Sequence, residues 1–354
     1  MDLLERTAAL VDVASESHDE GRLTDAIERE LRSVPWLLVD RVGDNVVART
    51  DLGRATRLVL AGHTDTVPAN GNERAVLDGD VVRGCGAADM KGGIAVMLDL
   101  ATTVDEPGVD VTYVFYAGEE VAAVHNGLGH LFRDRPELLA GDVALLGEPT
   151  DGDLEAGCQG TMRVELTLRG DRAHTARPWT GRNAIHRLGA LLSFLEARQD
   201  WRRVVIEGCE YREAVSAVLV SGGVAANVVP DEVTLTINHR FAPDRTGAEA
   251  ETELRRELDA FLDDGDGWQL VDVAAGARPG LTHPLLQSLV ARGGLEVRAK
   301  LGWTDVARFA EHGIPASNFG PGDPLLAHTA GEWVSREQLE RCRRALGDLL
   351  ALSA

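Results

Sequence analysis

The segment Arg57-Leu-Val-Leu-Ala-Gly-His63-Thr-Asp65-Thr-Val-Pro68 decides the fold class. Its apolar run predicts a buried strand, and the run ends directly in a histidine and an aspartate. Further apolar runs, each followed by Gly or a Gly-Pro turn, lie at 111–117, 142–146 and 316–319. Helical patterns alternate with the early strands, and this alternation indicates an α/β fold with a mostly parallel mixed sheet flanked by helices.

The pattern changes in the middle of the chain. Met162, Val164, Leu166 and Leu168 alternate with polar neighbours, which predicts a strand with one buried face. A following helix is predicted from the apolar spacing of Ile185, Leu188, Leu192 and Leu195. Because 354 residues exceed the usual size of one core, we expect an inserted α+β domain over 167–280 within a domain formed by 1–166 and 281–354. The last helix should begin with a Ser335-x-x-Gln338 capping box.

Composition excludes several kinds of partner. Lys and Arg number 36 against 57 Asp and Glu, and the net charge of −21 repels phosphate backbones and anionic lipid surfaces. The sequence contains no apolar run of the roughly 20 residues that a membrane span requires. Four cysteines without paired spacing, and a start without a signal-peptide pattern, predict a reduced, cytoplasmic protein with neither nucleic acid nor membrane as partner.

Polar residues follow the predicted strands where each strand ends. They are His63, Asp65, Glu119, Glu120, Glu148 and His328, and Asp89 lies in a Gly-rich loop before a helical stretch. Ligands of open α/β sheets bind beyond the carboxyl ends of the strands. Each residue alone is more often a loop residue or a cap. Two histidines with three of these carboxylates at one sheet edge, however, suit zinc, which binds imidazole nitrogen and carboxylate oxygen.

Two features of this set suggest roles. In the Glu119-Glu120 doublet one carboxylate can bind metal while its neighbour accepts a proton. Asp65 either orients the imidazole of His63 through its second nitrogen or forms an Asx turn. A metal-binding protein without turnover and a di-metal phosphoesterase are the alternatives of a different class, and the phosphoesterase finds no support because no Gly-x-x-x-x-Gly-Lys loop occurs.

The motifs in their order resemble the co-catalytic zinc metallopeptidases, a family that includes aminoacylases, glutamate carboxypeptidases and desuccinylases. The resemblance covers nearly the whole chain and rests on the following motifs: Gly62-His63-Thr-Asp65-Thr-Val-Pro68, Asp89-Met-Lys-Gly-Gly93, Ala117-Gly-Glu119-Glu120 and Gly147-Glu148-Pro149. It implies a zinc-peptidase-like catalytic domain and an inserted, ferredoxin-like dimerisation domain. It also implies two zinc ions per subunit, which cobalt or manganese can replace.

The resemblance assigns a role to each matching residue. Asp89 would bridge the two ions, with His63 and Glu148 on one and Glu120 and His328 on the other. Glu119 would be the general base, Asp65 would orient His63, and a non-proline cis peptide would follow Asp89. In the inserted domain, His174 would reach the partner subunit's active site in a homodimer, while Asn227 and Arg240 would bind substrate.

The substrate class also follows from the resemblance. Gly302-Trp-Thr304-Asp-Val-Ala-Arg-Phe and the segment from Asn318 to His328 are most similar to desuccinylases of the actinobacterial type. Gly302 and Thr304 would contact substrate. The expected reaction is hydrolysis of N-succinyl-L,L-diaminopimelate, a small anionic N-acyl amino acid. Deacetylation of acetylornithine, or cleavage of another N-acyl amino acid or peptide, is the alternative within the family.

Overall fold

The computed structural model describes residues 1–198 and 200–352. These residues form two compact units. The first comprises Met1–Gly157, Pro279–Arg298 and the chain from Thr304, and the second comprises Cys158–Arg278 and Ala299–Trp303. The predicted domain boundary at 166/167 falls inside the strand Gly160–Arg169, which pairs along its length with Glu232–Phe241 and therefore belongs to the second unit.

The first unit is built on an eight-stranded sheet. From one edge to the other its strands are Leu38–Val42, Asn45–Arg49, Asp110–Tyr116, Arg57–His63, Val143–Leu146, Ala316–Asn318, Leu154–Ala156 and Val297–Ala299. The four strands predicted from the apolar runs are neighbours in the middle of this sheet and run parallel to one another. The predicted fold class, α/β with a mostly parallel mixed sheet, is confirmed.

Helices and a small sheet complete the first unit. The helices are Leu3–Val11, Gly21–Arg32, Gly92–Thr103, Gly127–Asp134, Pro284–Gly293, Val306–Glu311 and Arg336–Leu350. The small sheet contains Val76–Asp78, Val81–Arg83 and Trp333–Ser335. The capping box predicted at Ser335 and Gln338 is present, and Cys342 of the same helix is buried in the core. Each helix in the described part of the chain is too short or too polar to span a lipid bilayer.

The second unit has a five-stranded antiparallel sheet and two helices. In sheet order the strands are Arg202–Ile206, Cys209–Gly222, Glu232–Phe241, Gly160–Arg169 and Gly267–Ala274, and the helices are Ala184–Ala197 and Gly247–Leu258. A separate two-stranded ladder joins Ala173–His174 to Val228–Val229. Along the chain, four of the five strands and both helices follow the β-α-β-β-α-β order of a ferredoxin-like fold, with Arg202–Ile206 added at one edge.

The helix Ala184–Ala197 corrects one detail of the sequence analysis. Its buried residues are Ala184, Leu188, Leu191 and Leu195, which share one helix face. The predicted stripe instead included Ile185 and Leu192, and each of these is 40% exposed. Because residues 191 and 192 are both leucine, the apolar spacing is compatible with two neighbouring helix faces. In the structure the face that contains Leu191 is the buried one. An apolar edge of this helix is therefore left on the surface of the unit.

Candidate metal centre

Three neighbouring parallel strands end at one edge of the sheet, and the polar residues at or just after their ends lie there. His63 is the last residue of Arg57–His63, and Glu148 follows Val143–Leu146 after one glycine. Glu119 and Glu120 follow Asp110–Tyr116 through a turn in which Gly118 has a φ of 70°. A Cβ on Gly118 would lie 2.6 Å from the carbonyl oxygen of His125. This turn therefore requires glycine to bring the two glutamates over the sheet edge.

Asp89 comes to the same edge from a tight turn, Ala87–Lys91, that precedes the helix Gly92–Thr103. The peptide bond between Asp89 and Met90 is cis, as the resemblance implied. One carboxylate oxygen of Asp89 lies 3.1 Å from Nε2 of His63, and the other lies 3.5 Å from Nε2 of His328. The two oxygens of Asp89 thus face two different histidines, as expected of a carboxylate shared between two ions.

The potential ligand atoms form overlapping groups. His63, Asp89 and Glu148 can place one ligand atom each within 4.8 Å of one another, and so can Asp89, Glu120 and His328. Nε2 of His328 lies 2.8 Å from an oxygen of Glu120. All five predicted metal ligands therefore converge, with Asp89 in both groups. The imidazole and carboxylate donors of each group match the ligands that zinc takes.

Glu119 lies beside both groups, because it can join His63 and Glu120 within the same 4.8 Å limit. Burial raises the pKa of the Glu119 carboxyl well above its usual range; His63 opposes this shift, and neighbouring carboxylates, Glu148 foremost, add to it. A carboxyl group with a raised pKa in this position can hold a proton during a reaction at neutral pH.

Asp65 contacts both the His63 imidazole and the backbone of the two glutamates. The Nδ1 atom of His63 lies 3.0 Å from the main-chain oxygen of Asp65 and 3.5 Å from a carboxylate oxygen. The carboxylate accepts hydrogen bonds from the backbone N–H groups of Glu119 at 2.9 Å and Glu120 at 3.0 Å. Although burial favours protonation, these contacts with His63 and the two N–H groups hold the pKa of Asp65 below its usual range. Asp65 thus contacts the His63 imidazole mainly through its main-chain oxygen, and its carboxylate holds the loop of the two glutamates.

The predicted substrate-contact residues and His174 are divided between the two units. His174, Asn227, Arg240 and Gly302 belong to the second unit. His174 lies in the ladder with Val228–Val229, and the N–H of Thr175 donates to the carbonyl of Asn227, so His174 and Asn227 lie close together. Thr304 belongs to the first unit, where its hydroxyl donates to Oδ1 of Asn318 at 2.9 Å.

The structure adds residues that the sequence analysis missed. Ser17 donates a hydrogen bond of 2.8 Å to the carboxylate of Asp65. Glu332, four residues after His328, accepts hydrogen bonds from three backbone N–H groups of the turn that carries Asp89. Neither residue follows a predicted sheet strand or forms part of a motif, so the pattern of polar residues at strand ends does not reveal them.

This chain has two adjacent groups of candidate metal ligands at one edge of an α/β sheet, an arrangement typical of the class of co-catalytic metallohydrolases. A family model described as Peptidase family M20/M25/M40 matches residues 59–352, and the chain belongs to this family. The putative succinyl-diaminopimelate desuccinylase DapE of Mycobacterium tuberculosis is 53% identical over 336 residues, which are 94% of this chain and 93% of that protein. The succinyl-diaminopimelate desuccinylase of Corynebacterium glutamicum is 45% identical, covering 94% of this chain and 92% of its own.

Solved structures agree on the fold. A tripeptidase from Staphylococcus aureus has a TM-score of 0.79 at 21% identity, over 99% of this chain and 97% of that one. The Bacillus subtilis YXEP protein, described as a dinuclear metal binding peptidase from the M20 family, has a TM-score of 0.72 at 16% identity, over 99% of this chain and 96% of its own. At such identities the likeness shows a shared fold, and the predicted family is confirmed by the family model and the close relatives.

The protonation of His328 makes metal binding depend on pH. Hydrogen bonds to Asp89 and Glu120 raise the pKa of His328 to about 10 in the metal-free chain. Its imidazole therefore carries a proton at pH 7.5, which a bound ion must displace. Zinc affinity should rise with pH between about 7 and 9, and calorimetry in buffers of different ionisation enthalpy should detect about one more proton released by the wild type than by His328→Ala. Equal proton release by the two proteins would contradict this assignment.

Proposed function

We propose that this chain hydrolyses the amide bond of N-succinyl-L,L-diaminopimelate to succinate and L,L-diaminopimelate, a step in diaminopimelate and lysine biosynthesis. The observation that carries the amide hydrolysis is the position of Asp89 between two groups of candidate ligands, with the half-buried Glu119 beside both. The substrate is inferred from the two relatives of that name, which are 53% and 45% identical over 94% of the chain.

The proposed cofactors are two divalent ions, preferentially zinc. His63 and Glu148 would hold one ion and Glu120 and His328 the other, with Asp89 shared. The donor set supports this choice, although cobalt or manganese would also accept imidazole and carboxylate ligands. When bound, the ions supply Lewis acidity that polarises the amide carbonyl and lowers the pKa of water.

Glu119 is the proposed general base. Its carboxylate takes a proton from the attacking water and later delivers that proton to the amine leaving group. The environment of the metal-free chain favours the protonated form of Glu119, and two dications nearby would favour the carboxylate. The two opposing influences would leave the group able both to accept and to release a proton near neutral pH. Asp65 supports this step because it holds the backbone N–H of Glu119.

The second unit would supply substrate contacts. His174 would stabilise the oxyanion of the tetrahedral intermediate, and Asn227 would contact substrate beside it. Arg240 suits a substrate carboxylate because its planar guanidinium can bind two oxygens at once. Gly302, also in the second unit, and Thr304, in the first unit, are further proposed substrate contacts. Their assignment rests on the family resemblance.

We also propose a homodimer in which each subunit provides His174 to its partner. The second unit carries exposed apolar side chains that support such an interface: Ile185 and Leu192 are each 40% exposed, Leu219 69% and Val220 64%. These side chains lie on the helix Ala184–Ala197 and the strand Cys209–Gly222. A cytoplasmic location is part of the same proposal, since all four cysteines are buried free thiols.

A substrate panel tests the function. The zinc-loaded protein is assayed with N-succinyl-L,L-diaminopimelate, N-acetylornithine and a dipeptide. We expect kcat/KM to be at least about tenfold higher for the succinyl substrate, because its succinyl carboxylate, which N-acetylornithine lacks, can be bound specifically. Preference for acetylornithine or a dipeptide would refute the substrate while leaving the amide hydrolysis intact. Metal binding without turnover of any member would instead favour a silent metal-binding protein.

Substitution of Glu119 separates its role from that of Glu120. Glu119→Gln should retain two ions per chain, because Glu119 is not a proposed ligand, and should lower kcat by about 10² to 10⁴ through loss of the general base. Glu120→Gln is the matched control and should lose affinity for one ion. Metal analysis after dialysis, together with steady-state kinetics, makes the comparison. Loss of an ion from Glu119→Gln with none from Glu120→Gln would mean that the two roles are exchanged.

Hybrid dimers test the role of His174. Two inactive variants, Glu119→Gln and His174→Ala, are mixed under conditions that exchange subunits. Each hybrid would contain one intact site, so an equal mixture should recover about a quarter of the wild-type rate. Mixing Glu119→Gln with Glu120→Gln is the control, since both changes lie in the same unit and no hybrid site is intact. No recovery in the first mixture, after exchange is verified, would show that His174 does not act across the dimer.

A further inference from the structure

Glu332 is a buried carboxylate outside the proposed ligand set. Glu332 is only 2% exposed. One carboxylate oxygen accepts hydrogen bonds from the N–H groups of Ala88 at 2.8 Å and Asp89 at 2.9 Å, and the other accepts from Gly86 at 3.0 Å. Both oxygens therefore act only as acceptors towards the backbone of the turn that carries Asp89.

The main chain of Glu332 joins the same two segments. Its carbonyl accepts a hydrogen bond from Gly84 at 3.1 Å, and the following strand, Trp333–Ser335, pairs with Val81–Arg83 just before that turn. On the other side, Glu332 lies four residues after His328. Glu332 is consequently the point at which the segment carrying His328 is attached to the segment carrying Asp89.

His328 needs such an attachment. Its side chain is 50% exposed, and its backbone has a φ of 63°, in the left-handed region. Burial therefore does little to fix its position, in contrast to His63, whose side chain is 1% exposed. The distance from His328 to the Asp89 carboxylate depends on how firmly the two segments are held together.

We propose that Glu332 is a positioning residue for the metal centre: it sets the position of Asp89 relative to His328 and thereby the affinity for the ion that these two residues share with Glu120. This inference rests on the proposed function. Replacement of the carboxylate by an amide should weaken the attachment, because an amide has one acceptor oxygen and its NH₂ group would face a backbone N–H. The ion held by His63 and Glu148 should be affected less, since neither ligand belongs to the attached segment.

Asp110 provides a matched control. It is 3% exposed and accepts hydrogen bonds from the N–H groups of Leu52 and Arg54, both at 2.9 Å, and from the hydroxyl of Thr50 at 2.8 Å. Asp110 thus also binds a loop backbone with a buried carboxylate. It begins the strand Asp110–Tyr116, at the end opposite to Glu119. Asp110→Asn should affect stability without affecting the metal ligands.

The experiment is a titration of the metal-free wild type, Glu332→Gln and Asp110→Asn with Zn²⁺, followed by calorimetry, and with Co²⁺, followed by its visible absorption. We expect two ions to bind to each protein, with the affinity for one of them about 10- to 100-fold weaker in Glu332→Gln. Excess Co²⁺ should restore kcat of this variant with little change in KM. Glu332→Asp, which keeps the charge on a shorter side chain, should give an intermediate affinity and replaces Glu332→Gln if that variant does not fold.

The outcomes are distinct. Wild-type affinity for both ions in the Glu332 variants would overturn the inference, as would an equal loss of metal affinity in Asp110→Asn. Circular dichroism and thermal unfolding of the metal-free proteins measure any general destabilisation separately. Failure of the wild type to bind two ions would instead refute the proposed function, independently of Glu332.

Discussion

Repulsion among the carboxylates at the edge of the first unit's sheet is the constraint on which the site depends. Asp89, Glu119, Glu120 and Glu148 all belong to the groups whose ligand atoms lie within 4.8 Å of one another. Two unit charges 4 Å apart near a protein surface interact by about 4 kcal/mol, so such a cluster needs compensating positive charge. His63 and His328 have raised pKa values, and burial together with neighbouring carboxylates raises the pKa of Glu119, so all three groups favour their protonated forms. Two dications would replace those protons, and metal binding and proton release are therefore parts of one equilibrium.

The sheet produces this cluster by simple geometry. Parallel strands bring their carboxyl ends to a common edge, and short turns after adjacent strands then place His63, Glu120 and Glu148 together. The other two candidate ligands reach the same edge from a turn and from a loop. Asp89 arrives on a tight turn before a helix, and His328 arrives on an exposed loop that is attached through Glu332.

The sequence predicted those parts of the structure that follow from periodicity or from motifs. The four central strands were predicted because buried strands form unbroken apolar runs. The convergence of the five candidate ligands was predicted because these residues lie at strand ends or in specific motifs, and their role as metal ligands stays a prediction. Ile185 and Leu192 were wrongly included in the apolar stripe of their helix, because the adjacent leucines at 191 and 192 are compatible with two helix faces. The hydrogen bonds of Ser17 and Glu332 were not predictable, since they join segments far apart in the chain and involve backbone N–H groups that leave no mark on composition.

Asp65 shows why the roles of the site residues are difficult to separate. The sequence suggested either an orienting partner for His63 or a turn residue. In the structure, the nearer contact with the His63 imidazole is the main-chain carbonyl of Asp65, and the carboxylate is committed chiefly to the N–H groups of Glu119 and Glu120. Asp65 and Glu332 therefore act alike, each with a buried carboxylate that binds the backbone of a ligand-bearing loop. Backbone N–H groups do not titrate as side chains do, so the donors in these contacts are the same whatever the protonation of the carboxylates and histidines that the loops carry.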